Sequence, residues 1–293
     1  MDYFVGLVIL ASIYTIGALS LNILQGHGGV FSVATAAFMG IGAYATGAVT
    51  VEYPALFLPA MAIGAVLSAL LGYGFAQLTL RVNGDYMVVA SFALVVIVGQ
   101  TILNLPAITG GGMGIPGIPR PGTDDVQLND NLPFAIFCVA ITALVYLACH
   151  FILKSPFGDA LRTLREDPIA ASALGRYPRR FRAAVFAGSS AIAAISGSVY
   201  AHYISYISPA DFTVKLTITI LTVVVVAGTN RLWAIPLGAA VVIGLTEGAR
   251  YLPLPDQIAA GADQILFGAL LVAFALLRPQ GLIGPKKDTR SAK

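Results

Sequence analysis

Residues able to do chemistry are few and scattered in this chain of 293 residues. Charged side chains make up 11% of it, with three histidines and two cysteines. An ionised group inside an apolar run is costly and is normally kept for handling ions, protons or solutes. Glu247 is such a residue and marks a possible translocation path. Arg250 follows three positions later, so a local ion pair near a span end is an equally good reading. Asp85 and Asp263 stand near span starts, where an acid complements the helix dipole. His27 lies within Gln25-Gly26-His27-Gly28-Gly29 and is a second candidate for lining a path. His150 and His202 are far from it in sequence, and the three share no metal-ligand spacing. Cys138 and Cys149 fall in one apolar run. Eleven residues of helix separate them by roughly 16 Å, beyond the ~7 Å reach of a disulfide, so both read as small apolar side chains. Gly110-Gly111-Gly112-Met113-Gly114 has no strand before it and reads as a flexible loop, not a nucleotide fingerprint. The sequence has no G-x-x-x-x-G-K-[ST] loop to cradle ATP phosphates. It also has no Ser/His/Asp or Cys/His grouping, so catalysis has no constellation to rest on, and no metal or cofactor is expected.

The most informative local pattern lies between two apolar runs. Across 155–166, Phe157, Ala160, Leu161 and Leu164 recur at helical spacing with Arg162 and Arg165 off that face, which predicts a short amphipathic helix. A second short helix is predicted directly after it. Asp167 is a good N-cap, Pro168 a good first helical residue and Gly175 a good terminator. Small side chains, Ala170 and Ala171 among them, fill the two turns between. Such a helix suits docking in a groove of another protein; a solvated connector between spans is the equal alternative.

The elements that must position these residues follow from composition. Hydrophobic residues are 57% of the chain and mean hydropathy is +0.84. A soluble domain carries about 25% charged residues, so this surface is built for lipid. Disordered, coiled-coil and nucleic-acid-binding classes are excluded. About 20 mostly apolar residues make a span. Nine candidates emerge: 3–23, 30–50, 54–80, 84–105, 132–153, 183–206, 214–229, 233–252 and 259–277. The Ala/Gly-rich 30–50 run reads either as a span or as a broken, re-entrant helix. The short 214–229 run has strand-like composition, but an isolated strand in lipid would leave its backbone groups without partners.

Basic residues set the orientation. Lys154, Arg162, Arg165, Arg176, Arg179, Arg180 and Arg182 crowd 154–182, and Arg278, Lys286, Lys287, Arg290 and Lys293 crowd the tail. At about 2.5–3.5 kcal/mol for each basic residue at a helix centre, 154–182 cannot cross. This places that loop and the tail in the cytoplasm, the 106–131 loop outside and the N-terminus outside. The start of the chain reads as a first span, not as a removable signal peptide. Tyr53, Tyr203, Tyr206, Trp233 and Tyr251 fall near span ends, where aromatic anchors belong. The pairs Gly40-x-Gly42 and Gly244-xxx-Gly248 are expected to permit close helix packing.

Several blocks, in order, resemble the LivM-type permeases, the membrane subunits of branched-chain amino acid ABC importers. They are LNILQGHGGVFSVATAAFMGIGAYATG (21–47), NGDYMVVASFAL (83–94), TGGGMGIPGIP (109–119), SPFGDALRTLREDPIAASALG (155–175), VYAHYISYISPADF (199–212) and RPQGLIG (278–284). The likeness covers nearly the whole chain. It departs at Ala34-Thr35, where the family usually has Gly-His. It departs again at 227–234, where the family commonly reads Gly-Gly-x-Gly-Ser-x-Trp-Gly.

The resemblance implies an all-α, polytopic membrane fold of eight or nine helices. Residues 1–285 would form one ABC permease transmembrane domain, with a coupling loop at 154–182, an external loop at 106–131 and a basic tail at 286–293. It also implies a bacterial inner-membrane importer subunit that is not itself an enzyme. Its partners would be two ABC ATPase subunits, a second related permease, an extracytoplasmic substrate-binding protein and membrane lipid, with no nucleic acid. Arg165, Glu166, Asp167, Pro168, Ala170, Ala171 and Gly175 would couple to an ATPase. Within the same architecture, urea or short amides are the alternative substrates. An ion-driven secondary transporter is the alternative class; it calls for mid-span ionisable residues and paired repeats of broken helices, and few of the former are present.

Overall fold

In lipid, a backbone must close its own hydrogen bonds, and the apolar runs do so as helices. The computed structural model describes residues 2–79, 86–123, 126–127, 130–166, 178–228 and 232–250, together with 268, 269 and 272. Helix α1 (Asp2–Leu21) continues without a break into a π-wound turn, Asn22–His27. After a non-helical stretch come α2 (Thr35–Glu52), α3 (Phe57–Thr79) and α4 (Tyr86–Leu103), then the short α5 (Pro106–Thr109). Next are α6 (Asn131–Lys154), α7 (Pro156–Glu166) and α8 (Pro178–Ile204). Last come α9 (Val214–Ala227) and α10 (Ala234–Arg250). Four two-residue strands decorate the loops: β1 (Ile115–Pro116), β2 (Gly122–Thr123), β3 (Val126–Gln127) and β4 (Tyr206–Ile207).

Six of the described helices are long and apolar enough to cross a membrane: Tyr3–His27, Pro54–Thr79, Tyr86–Leu103, Asn131–Lys154, Arg179–Ile204 and Pro209–Ala227. Within the Thr- and Val-rich run at 214–229, Val214–Ala227 is thus a helix, as the cost of a lone strand in lipid requires. Ala234–Gly248 is a shorter apolar helix. The 30–50 run is divided. Helix starts only at Thr35, and 28–34 is non-helical. The predicted 259–277 span, Arg81, Asp85, Asp263, Tyr251 and the tail lie outside the described residues.

Helix α8 is the centre of the molecule, packed against α1, α2 and α3. Small residues let it approach closely. A Cβ on Gly42 of α2 would lie 2.1 Å from the Ala194 carbonyl oxygen, and one on Gly197 would lie 1.9 Å from the Met39 oxygen. A chain of hydroxyls then ties α2 to α8. Thr46 and Ser198 share a hydrogen bond of 2.7 Å, and His202 Nε2 meets Thr50 Oγ1 at 3.1 Å. His202 is 1% exposed, and its other nitrogen meets the Ser198 carbonyl at 2.8 Å. The Gly40-x-Gly42 expectation therefore holds at Gly42. At Gly244 and Gly248 no described residue lies within 4 Å of an added Cβ. The same spacing packs closely only where another backbone lies alongside.

Outward-turned apolar side chains concentrate on α3, α4 and α6, including Leu70, Ile97 and Leu144. Cys138 and Cys149 are buried free thiols of α6. At the end of the bundle away from α7, β1 pairs antiparallel with β4. The glycine-rich stretch before β1 is built into this roof and is not the flexible loop the sequence suggests. Gly114 has φ +70, and a Cβ there would strike the Ile207 carbonyl; the Tyr206 hydroxyl donates to the Met113 carbonyl at 3.0 Å. Only glycine takes that backbone conformation so close to a neighbouring strand. Ile118 and Ile207, both fully buried, fill the space above Gly47 of α2.

Candidate functional site: the basic loop helix and its seat

Helix α7 forms as its spacing predicts. Ala160, Leu161 and Leu164 are each at most 3% exposed, while Arg162 and Arg165 are exposed. Its start follows the end of α6 after Ser155 alone, and Phe157 stacks on Phe181 of α8 at 5.5 Å between ring centres. The face away from the bundle carries Arg162 and Asp159, paired at 3.7 Å. Both members are well exposed, so this pair contributes little to stability.

The seat under α7 is the break between α1 and α2. A helix end leaves carbonyls without partners. At the π-wound end of α1, the Arg165 guanidinium donates to the Gly26 carbonyl, bringing positive charge to the negative end of the helix. The Arg165 stem also covers Gly29, where a Cβ would lie 3.2 Å from Arg165 Cγ. π-wound turns of this kind occur frequently at functional sites.

Beyond the turn, side chains take over from the helical ladder. Val33 N–H donates to Ser91 Oγ of α4 at 3.0 Å. Thr217 Oγ1 of α9 donates to the Val33 carbonyl at 2.9 Å and accepts from Ala36 N–H at 3.0 Å. Gln25 Nε2 donates to the Ser32 carbonyl at 3.1 Å. Irregular backbone at membrane depth is tolerated only where protein or water satisfies it. These four bonds meet that demand, and they join α1, α2, α4 and α9 at one point. Sequence reasoning missed Ser91 and Thr217. Their signal was present as hydroxyls within apolar spans.

Removal of the Arg165 cap is expected to loosen this seat. Replacing Arg165 with methionine should cost about 1 kcal/mol locally, a roughly fivefold faster amide hydrogen exchange across 26–30. Unchanged exchange there would show that the contact holds nothing in place.

Not all the predicted site residues come together. His27 closes the π-wound turn, with Nδ1 3.4 Å from the Asn22 carbonyl oxygen. Glu247 lies at the opposite end of α1, accepting from the Tyr3 hydroxyl at 3.1 Å. Twenty-four residues of helix separate Tyr3 from His27, about 36 Å, so the two candidates do not share a site. Tyr3 is a partner for Glu247 that the sequence did not suggest; the Arg250 side chain lies outside the described residues. Arg165 and Glu166 end α7, whereas Asp167, Pro168, Ala170, Ala171 and Gly175 lie outside the described residues. Among the described residues, no group of three or more His, Cys, Asp or Glu side chains is placed to hold a metal ion.

Comparison with known proteins agrees with this architecture. Residues 3–275 match the family model described as branched-chain amino acid transport system / permease component. The chain is 28% identical to the high-affinity branched-chain amino acid transport system permease protein LivM of Escherichia coli K12, across 95% of this chain and 69% of that protein. It is 26% identical to a probable branched-chain amino acid transport permease protein LivM of Methanocaldococcus jannaschii, across 91% and 84% respectively. No solved structure matches the chain. An all-α, multi-pass membrane protein whose match to the family runs from its first helix to residue 275, this chain belongs to the permease components of branched-chain amino acid transport systems.

Proposed function

We propose that this chain is one half of the membrane pathway of an ABC importer. It would move branched-chain amino acids inward on ATP hydrolysed by two separate ATPase subunits. A second, related permease would complete the pathway, and an extracytoplasmic binding protein would deliver substrate near 106–131. Residues 154–182 and the 286–293 tail would face the cytoplasm of a bacterial cell and the N-terminus would face outward, with 1–285 as a single transmembrane domain.

The observation that carries the reading is the seat of α7. An amphipathic helix outside the spans rests on the point where α1 and α2 lose their ladder. A partner that pulled on α7 would bias two spans and the start of α8 together, as alternating access requires. Asp167, Pro168, Ala170, Ala171 and Gly175, with Arg165 and Glu166, would form the docking surface beside it.

The test is leucine uptake and ATP hydrolysis by the complete transporter in proteoliposomes. Gly175→Val and Asp167→Ala are expected to abolish uptake at normal membrane abundance. Normal uptake by both variants would sink the coupling assignment. Accumulation of urea in place of leucine would overturn the substrate.

A further inference from the structure

A cavity of about 460 Å³ opens between α1, α8, α9 and α10, at the end of the bundle away from α7. Its volume falls within the range of small-molecule sites, about 300–1,000 Å³. It differs from the two other described cavities, of about 430 and 400 Å³, in one respect. Those are lined without a charged side chain, whereas this one holds Lys215, Asp211 and Glu247.

Neither Asp211 nor Glu247 forms an ion pair with Lys215. Lys215 therefore keeps its ammonium more than 4.0 Å from either carboxylate. Both acids are held from behind. Asp211 Oδ2 accepts the Ser208 N–H at 2.8 Å, which fixes its orientation, and Glu247 Oε2 accepts the Tyr3 hydroxyl at 3.1 Å. The rest of the lining includes the apolar Leu10, Leu216, Val242 and Ile243, and Tyr14 and Tyr200 add rings that carry hydroxyls. A lining that offers charges of both signs beside apolar side chains is complementary to a small molecule carrying an ammonium, a carboxylate and a hydrocarbon side chain.

We infer that this cavity is a binding site for the zwitterionic amino acid, with Lys215 receiving its carboxylate and Asp211 and Glu247 its ammonium. The inference rests on the amino-acid reading above and assigns the residues that carry it. Lys215 begins α9, and Thr217, two residues on, holds the 28–34 break. A molecule bound at Lys215 thus presses on the element that α7 reaches from the other end.

The test is saturation-transfer NMR on the solubilised permease–ATPase assembly without the extracytoplasmic protein, so that contact reports on the membrane site alone. Leucine is expected to receive saturation. 3-Methylbutylamine and 4-methylpentanoate, each lacking one charge, are expected to bind at least about tenfold more weakly. Lys215→Met is expected to weaken leucine at least about tenfold, to leave 3-methylbutylamine unchanged and to erase the preference between them. Lys215→Arg retains that preference, and Glu247→Gln weakens leucine and the amine together. Leucine binding unchanged in both Lys215→Met and Glu247→Gln overturns the site while leaving the transport reading intact. Failure of the unaltered complete transporter to take up any amino acid overturns that reading and the site with it.

Discussion

Gly197→Val is expected to lower the melting temperature of the protein sharply. A Cβ at this position would lie 1.9 Å from the Met39 carbonyl oxygen, and backbone cannot turn aside as a side chain can. Helices α2 and α8 would have to part. Overpacking of this kind costs about 1–3 kcal/mol. Parting the helices also stretches the Thr46–Ser198 and Thr50–His202 hydrogen bonds, at about 1 kcal/mol each. The sum is a large share of the 5–15 kcal/mol that typically holds a protein folded. Cys138 and Cys149 report the outcome, because both thiols are buried and become reactive only on unfolding. A thermal ramp with a thiol-reactive dye should show Gly197→Val reacting well below the unaltered protein. Gly188→Ala, on the same helix with nothing within 4 Å of its Cβ, should be neutral or slightly stabilising. Coincident transitions for Gly197→Val and the unaltered chain would refute the close crossing.

Leu161→Asp is expected to free α7 while sparing the spans. Leu161 is 1% exposed, and a carboxylate in its place would be buried without a partner. Several kcal/mol of desolvation outweigh the packing that holds so short a helix. The helix escapes by leaving its seat, which also removes the Arg165 cap from Gly26. Trypsin should then cut after Arg162 and Arg165 much faster, at unaltered membrane abundance. Under the proposed coupling, uptake should also fall by at least about tenfold, the loss expected when roughly 1.4 kcal/mol of coupling disappears. Leu161→Met conserves volume and should behave as the unaltered protein. Equal trypsin sensitivity in Leu161→Asp would mean that α7 is not seated through this face.

The part of this architecture most legible in sequence was α7, because an amphipathic helix outside the spans writes its buried face as a period of 3.6. Within the spans that record is faint. Residues 30–50 are apolar and small throughout, so nothing local to 28–34 states that the ladder stops there. The break is decided by Ser91 and Thr217, which are remote in sequence and reach it only in the folded bundle. Glycine spacing misleads for the same reason. Gly244 and Gly248 carry the motif yet meet no described residue, whereas Gly197 carries no such pair and lies against α2. Glu247 was visible as an ionisable residue in an apolar run, but its neighbours Tyr3, Asp211 and Lys215 come from three other elements. The glycines at 110–114 looked like slack. Their role depends on Tyr206 and Ile207, almost a hundred residues further on.

The clasp of β1 with β4 has a consequence for traffic. With Ile118 and Ile207 wedged above Gly47, a solute descending along the axis of α2 meets a stopper. Among the described residues, that axis is therefore closed at this end. Under the proposed function, cargo would skirt the side of this chain, and the second permease would supply the opposite bank of the channel.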